Sequence, residues 1–557
     1  MPEIISVTDM LWQRSGSDDR ALIFLADGTS GSAQEWSFFT VFAEAGRWAA
    51  RLAARGVGRG DRVVLAINPG LDYVAALYGI LWLGAVAVPC FPPLRAKELD
   101  RFAAVLRDAE PVLVLIDEMY RPRLDELAAR GLDACREPLH PGGPAETGGR
   151  FEQPTPCVAS DLALIQYTSG STGHPKGVCI THGNLVSNCA ALDRSMGHDP
   201  GRIGLSWLPP YHDMGLMGTI VLALYHGWPL VLMSPVHFIQ QPARWLEAVT
   251  DFGVTITVGP NFALELCTTE LTDAEVAPLD LSTLTEFYCG AEPIRADTIT
   301  AFARRFAPCG FDVRALIPCY GMAEATLFIA GKAAGDTWRT GTSADDTAAI
   351  VSCGVVDAGH SVRIVDPDTA NPLPDGQIGE IWVAGPSVAA GYFRDEPRTG
   401  AVFGARIAGA DGRYLRTGDL GFLRGDELFV TGRIKDLIIV NARNIYPQDV
   451  EFRALQSDPS FRKAAAFAVP GAGTEGLAVV IESQRAALTP RDHTELTERL
   501  RAEIIAEFGV APAVIHIGPR RTVPTTTSGK VRRAATRGLL LTGRLPAFDP
   551  TSEGIAV

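Results

Sequence analysis

What this 557-residue chain lacks narrows its possible roles. It has no apolar run near the roughly 18 residues of a membrane-crossing helix. Met1-Pro2-Glu3 does not open a basic-then-apolar leader. A membrane span and an export signal are thus not expected, and the chain reads as a cytoplasmic protein. No C-x-x-C pair occurs, although cysteines stand at 90, 135, 157, 179, 189, 267, 289, 309, 319 and 353. Most lie in apolar runs, as in Val88-Pro89-Cys90 and Ile317-Pro318-Cys319, the setting of buried free thiols in a reducing compartment. His212, His226 and His237 match no usual zinc spacing, so a structural zinc is not expected. Excess positive charge is also missing. A net charge of −14 argues against a general nucleic-acid binder and a polybasic membrane-surface protein. There is no internal repeat.

What is present describes a large globular protein: 47% hydrophobic residues, 20% charged, and a length that calls for two to four folding units. Short apolar strands alternate with amphipathic helices, an α/β pattern. Strands are expected at 62–67, 85–88, 112–116, 229–233, 254–258, 284–288 and 315–317. A helix should begin at Pro242, with Ala243, Leu246 and Val249 on one face and Gly253 as its stop. This grammar predicts layered, largely parallel sheets with ligands near the carboxyl ends of strands. From about Val351 it changes. Expected strands at 361–365, 379–383, 428–430 and 437–440, separated by turns such as Pro374-Asp375-Gly376, read as an antiparallel, barrel-like β portion. A smaller α+β unit follows, with strands at 465–469, 478–481 and 514–517 and a helix over 496–507. The expected domains are 1–432 and 433–557, with the boundary between Thr431 and Asp436. Residues 331–349, small and polar, read as an irregular surface insertion.

The most informative stretch is Tyr167-Thr168-Ser169-Gly170-Ser171-Thr172-Gly173-His174-Pro175-Lys176-Gly177-Val178. A buried strand at 161–167 leads into it. Three glycines let backbone N–H groups turn inward, and four hydroxyls between Thr168 and Thr172 add donors around a polyphosphate. Lys176 supplies a cation. The spacing is not G-x-x-x-x-G-K-[ST], so this is a phosphate loop of another kind. A Ser/Gly linker would not normally follow a buried strand or end in Pro-Lys-Gly.

Further motifs follow in order. They are Ser206-Trp207-Leu208-Pro209-Pro210-Tyr211-His212-Asp213-Met214-Gly215-Leu216, Gly290-Ala291-Glu292-Pro293 and Tyr320-Gly321-Met322-Ala323-Glu324-Ala325-Thr326. After them come Tyr414-Leu415-Arg416-Thr417-Gly418-Asp419, Gly432-Arg433-Ile434-Lys435-Asp436 and Thr527-Ser528-Gly529-Lys530. Together they resemble the adenylate-forming superfamily. Cys90-Phe91-Pro92-Pro93, the Pro-Tyr-His-Asp-Met-Gly run and Tyr446-Pro447-Gln448-Asp449 resemble its fatty acyl-AMP ligase branch more narrowly. The resemblance covers nearly the whole chain. It implies ATP and Mg²⁺ as cofactors and attack of a carboxylate on the α-phosphorus of ATP, a step that brings anions together and so needs cations and aimed donors.

By the same resemblance, Thr168, Ser169, Gly170, Ser171, Thr172, Gly173 and Lys176 hold the β- and γ-phosphates, and Glu324 with Thr172 binds Mg²⁺. Gly290, Ala291, Glu292, Cys319, Tyr320, Gly321, Met322 and Ala323 frame the adenine. Asp419 and Arg433 reach the ribose. Lys530 is the catalytic lysine, with Lys176 and His212 beside it, and His212, Met214 and Gly259 border an acyl pocket. Lys435 is the hinge of a small mobile C-terminal domain. Singly, plainer readings stand: Lys530 as an exposed lysine, Glu324 as a helix N-terminal charge, Asp419 as a turn residue, His212 as a core histidine. Their common order argues for the functional set.

The implied second step passes the acyl group to a thiol. About 27 residues follow Lys530, too few for a carrier domain, so an acyl carrier protein acting in trans is expected, with a fatty acid as substrate. Arg520, Arg521, Lys530, Arg532, Arg533, Arg537 and Arg544 make a basic island in an acidic protein, readable as a carrier-docking face or as a solvated helix face. Three positions depart from the branch: the insertion at 331–349 is short, Ala442 stands where glycine is common, and Ile445 where histidine is frequent. An acyl- or aryl-CoA ligase, or an inactive acyl- or nucleotide-binding paralogue, remains an alternative.

Overall fold

The computed structural model describes the chain except residues 1–3, 94–95, 137, 142–152, 169–174, 345–348, 408, 410–411, 441–442, 471–474, 527–528 and 549–557, and the side chains of 96–97. It divides into two compact units: 1–417 with 421–430, and 418–420 with 431–557.

The larger unit is built on two sheets. One has a run of six parallel strands in the spatial order Leu316–Gly321, Glu286–Cys289, Ile256–Gly259, Gly204–Ser206, Leu230–Met233, Arg20–Leu25. These are short runs of apolar residues buried on both faces, as expected of parallel strands covered by helices. The strands expected at 361–365, 379–383 and 428–430 belong to the same sheet, which continues from Leu316–Gly321 through the antiparallel Phe328–Gly331 and Ile350–Val356 to reach them. The second sheet has six strands, ordered Gly391–Tyr392, Lys176–Thr181, Leu162–Thr168, Val86–Pro89, Arg62–Ala66, Leu113–Ile116. Between the sheets' helices lies a core around Tyr73, Leu77, Ile80 and Leu216, all almost wholly buried. Helix Ala243–Phe252 begins after Pro242 and stops at Gly253, whose φ of 61° suits a residue without Cβ.

The smaller unit packs helices Pro447–Gln456, Pro490–Phe508 and Arg533–Leu541 with the sheet Phe461–Pro470, Glu475–Ser483, Val514–Gly518. Ile438, Val450, Ala466, Val479, Leu500 and Ile504 form its core. Among the described residues no helix is long and apolar enough to cross a membrane. All ten cysteines are free thiols.

Two expectations need correction. The strand expected at 437–440 belongs not to the barrel-like portion but to a hairpin of the smaller unit, Ile438–Val440 with Arg443–Ile445. A β-branched run predicts a strand without naming its sheet. The start of 331–349 is also no loose surface loop. Gly331 ends a buried strand, and Lys332, 6% exposed, donates to the carbonyls of Arg314, Ala333 and Asp336 at 2.7–3.0 Å. The carbonyls satisfy the ammonium, so a charge can sit inside. Residues 345–348 lie outside the described part.

Candidate active site

The carboxyl ends of three parallel neighbours set the centre of the site. In register, Gly259 lies beside Cys289, and Cys289 beside Pro318. Just past these ends come Gly290-Ala291-Glu292 on one strand and Cys319-Tyr320-Gly321 on the next. Gly290 admits no side chain: a Cβ there would fall 2.9 Å from Cys319 Sγ and 3.0 Å from its carbonyl oxygen. Ala291 turns with φ 69°, outside the usual range for a residue with Cβ. Glu292 Oε1 accepts the Phe262 N–H at 2.6 Å, which ties this turn to the segment after Gly259. A flat ring can lie against such bare backbone, and the open ends of the strands supply polar groups for its edge. This strand-end backbone therefore suits the base of an adenine nucleotide.

From Gly321 the chain folds back tightly. Met322 N–H donates to Leu327 O at 2.8 Å, and a Cβ on Gly321 would come within 1.8 Å of that oxygen. This places Ala323-Glu324-Ala325 in one 3₁₀ turn. Glu324 Oε1 accepts the Tyr392 hydroxyl at 3.0 Å. Burial, then the Glu324 charge, pushes the Tyr392 phenol up, so it remains a donor.

The candidate phosphate loop joins two antiparallel strands. Thr168 ends one strand, Lys176 begins its antiparallel partner, and the two are directly paired. Ser169, Gly170, Ser171, Thr172 and Gly173 lie outside the described residues. Lys176 Nζ stands 5.4 Å from the centre of the Tyr392 ring. An ammonium and a carboxylate thus share one tyrosine, a fit for a polyphosphate and its cation. Tyr392 was not singled out from the sequence. Its only signal is Gly391-Tyr392, a Gly-aromatic pair 68 residues beyond Glu324.

His212 is half-buried and precedes the short helix Asp213–Gly215, where its carbonyl accepts from Leu216 N–H at 2.8 Å. The chain continues as a π-helical turn, Leu216–Val221, a form frequent at functional sites. Met214 packs in the core around Tyr73, whereas Gly259 faces Trp245 and Phe287 in a separate one. The described contacts do not join these two into one wall.

In the smaller unit, Arg433 Nε donates to Asp419 Oδ1 at 2.8 Å, and Asp419 is almost buried while Arg433 is exposed. Lys435 is exposed in the turn that follows. Lys530 is exposed on a loop closed at its base, where its N–H donates to Thr526 Oγ1 at 3.0 Å and its carbonyl accepts from Thr526 N–H at 2.7 Å. Thr527, Ser528 and Ala442 lie outside the described residues. Ile445 is buried in the core of this unit. Arg533 leaves the basic island: it donates twice to Glu451, at 2.6 and 2.8 Å, and once to Asp436 at 2.9 Å. The expectation that it docks a partner is corrected accordingly, because a guanidinium so engaged is a strut. Arg520, Arg521, Arg532, Arg537 and Arg544 remain exposed.

Residues 11–393 match the family of AMP-binding enzymes. The chain belongs to that family. This adenylate-forming ligase falls in the fatty acyl-AMP ligase branch. It is 36% identical to a medium-chain-fatty-acid–[acyl-carrier-protein] ligase of Moorena producens, over 98% of this chain and 97% of that one. It is also 36% identical to a putative fatty-acid–CoA ligase of Mycobacterium tuberculosis, over 95% of this chain and 97% of that one. Among solved structures it is similar to the fatty acyl-adenylate ligase of L. pneumophila in complex with acyl adenylate and pyrophosphate, with 34% identity, 96% of each chain covered and a TM-score of 0.72.

Proposed function

We propose that this ligase activates a fatty acid with ATP and passes it to the phosphopantetheine thiol of an acyl carrier protein. In the first step a carboxylate oxygen of the fatty acid bonds to the α-phosphorus, and the bond to pyrophosphate breaks. In the second, the thiol displaces AMP from the acyl carbon and gives up its proton. The observation that carries the reading is the meeting of Lys176 and Glu324 at Tyr392, beside a strand-end cradle suited to adenine.

In this reading Lys176 and the hydroxyls of the 168–172 loop bind the polyphosphate. Glu324, with Thr172, would hold Mg²⁺, which when bound neutralises phosphate charge as pyrophosphate leaves. Gly290 to Glu292 and Cys319 to Ala323 receive the base. Asp419 accepts from the ribose hydroxyls, and Arg433, paired with it, fixes its orientation. Lys530 bridges the carboxylate and the α-phosphate as charge develops, with His212 near the carboxylate. The smaller unit turns about Lys435 between the steps, and the free thiols fit a cytoplasmic setting.

A coenzyme A acceptor is the second reading, favoured by the equal identity to the mycobacterial relative named a fatty-acid–CoA ligase. Fatty-acid-dependent pyrophosphate release tests the first step. Lys530→Ala should abolish it with little change in unfolding midpoint, since the side chain is exposed. Full activity in that variant would contradict the mechanism.

A further inference from the structure

Lys176 begins a strand of the second sheet and Glu324 lies in a turn between strands of the first, and one side chain meets both. Tyr392 ends the two-residue strand Gly391–Tyr392, which pairs with Cys179 and Val178 just after the phosphate loop. Phe393 N–H donates to Gly177 O at 2.7 Å and anchors the segment from its other end. The same segment grips the Glu324 turn. Ala389 N–H donates to Glu324 O at 2.9 Å, and Thr326 Oγ1 donates to Ser387 O at 2.6 Å. That grip holds Thr326 at φ 67° and ψ −59°, a conformation that persists only under external restraint. The Tyr392 ring is itself fixed edge-on against Phe403, 5.1 Å between centres. From this rigid ring the hydroxyl reaches Glu324 at 3.0 Å while the face lies 5.4 Å from the Lys176 ammonium.

We propose that Tyr392 is a positioning residue that sets where Glu324 and Lys176 stand, and so spaces the cation ligand from the phosphate-binding ammonium. The inference rests on the roles given to Glu324 and Lys176 in the proposed function. The ring face takes the ammonium and the hydroxyl takes the carboxylate, so one stiff side chain holds the two opposite charges apart.

Calorimetric titration of ATP into the full chain, with and without magnesium, tests the proposal. Tyr392→Phe keeps the ring and removes the donor. It should weaken binding about tenfold in magnesium, the scale of one hydrogen bond to a charged group, and leave binding without magnesium unchanged. Glu324→Gln should remove the magnesium-dependent gain, and Tyr392→Phe should add nothing in that background. Tyr392→Leu, which loses the ring as well, should weaken binding even without magnesium. Equal weakening of Tyr392→Phe in both conditions, or additivity with Glu324→Gln, would overturn the proposal alone. Full magnesium dependence in Glu324→Gln would overturn the role of Glu324, and the proposal with it. Thermal unfolding of each variant separates these outcomes from loss of fold.

Discussion

His182 shows how one residue far from the chemistry sets a condition on it. It is wholly buried and accepts the Val7 N–H on Nδ1 at 3.2 Å, which requires the neutral ring. Burial is the main cause that pushes it down from 6.5 to about 4, against a weaker pull upward from Asp161 and Asp9. Between these values the unfolded chain binds a proton that the folded one refuses. Stability is therefore complete above pH 6.5 and falls as pH drops toward 4, with a loss on the order of 2 kcal/mol already at pH 5. Urea unfolding at pH 7 and pH 5 should show that fall, and His182→Asn, which keeps an acceptor near Nδ1 but cannot titrate, should flatten it. An unchanged slope in the variant would assign the pH dependence elsewhere. Sequence alone could not single out His182, because its neighbours say nothing of Val7, which lies 175 residues away.

At the scale of elements, buried parallel strands were the easiest to read. Arg62–Ala66, apolar after its first residue, and Leu230–Met233 each lie within one residue of the expected range, whereas the strand expected at 315–317 runs on to Gly321, and Arg20–Leu25 and Gly204–Ser206 were not foreseen. The turns between strands were less legible. The Gly321–Leu327 fold-back and the π-helical Leu216–Val221 depend on which backbone groups meet, which periodicity does not encode. Gly321 can be tested directly. A methyl group there would press on Leu327 O, and the packing around it leaves little freedom to move. Gly321→Ala should cost about 3 kcal/mol, the upper end of overpacking, and should weaken nucleotide binding through the displaced Glu324 turn. A fully stable variant with unaltered binding would show that the turn yields. The contact of Tyr392 with Glu324 belongs to the same class of facts: a sheet edge brings the two together, and no local pattern announces it.

Across the whole molecule, charge is unevenly placed. The chain is acidic overall, yet Arg520, Arg521, Arg532, Arg537 and Arg544 stand exposed in the smaller unit. Neighbouring arginines can differ in setting: Arg532 is exposed, whereas Arg533 is engaged by carboxylates. Arg533 is held by Glu451 and Asp436 with only 22% of its side chain exposed, so Arg533→Met should destabilise that unit by about 3 kcal/mol by stranding two carboxylates. Arg532→Glu should leave stability and adenylate formation unchanged and slow transfer to an acidic carrier protein, with the effect shrinking as salt rises. Equal loss of both steps in Arg532→Glu would remove the docking role. The measurement that tests the central claim most directly is a single-turnover reaction with radiolabelled fatty acid, ATP and magnesium. Phosphopantetheinylated carrier protein and coenzyme A are offered in parallel. The account predicts pyrophosphate release that depends on the fatty acid, followed by label on the carrier. Label on coenzyme A with the carrier left bare, or no pyrophosphate at all, would contradict it.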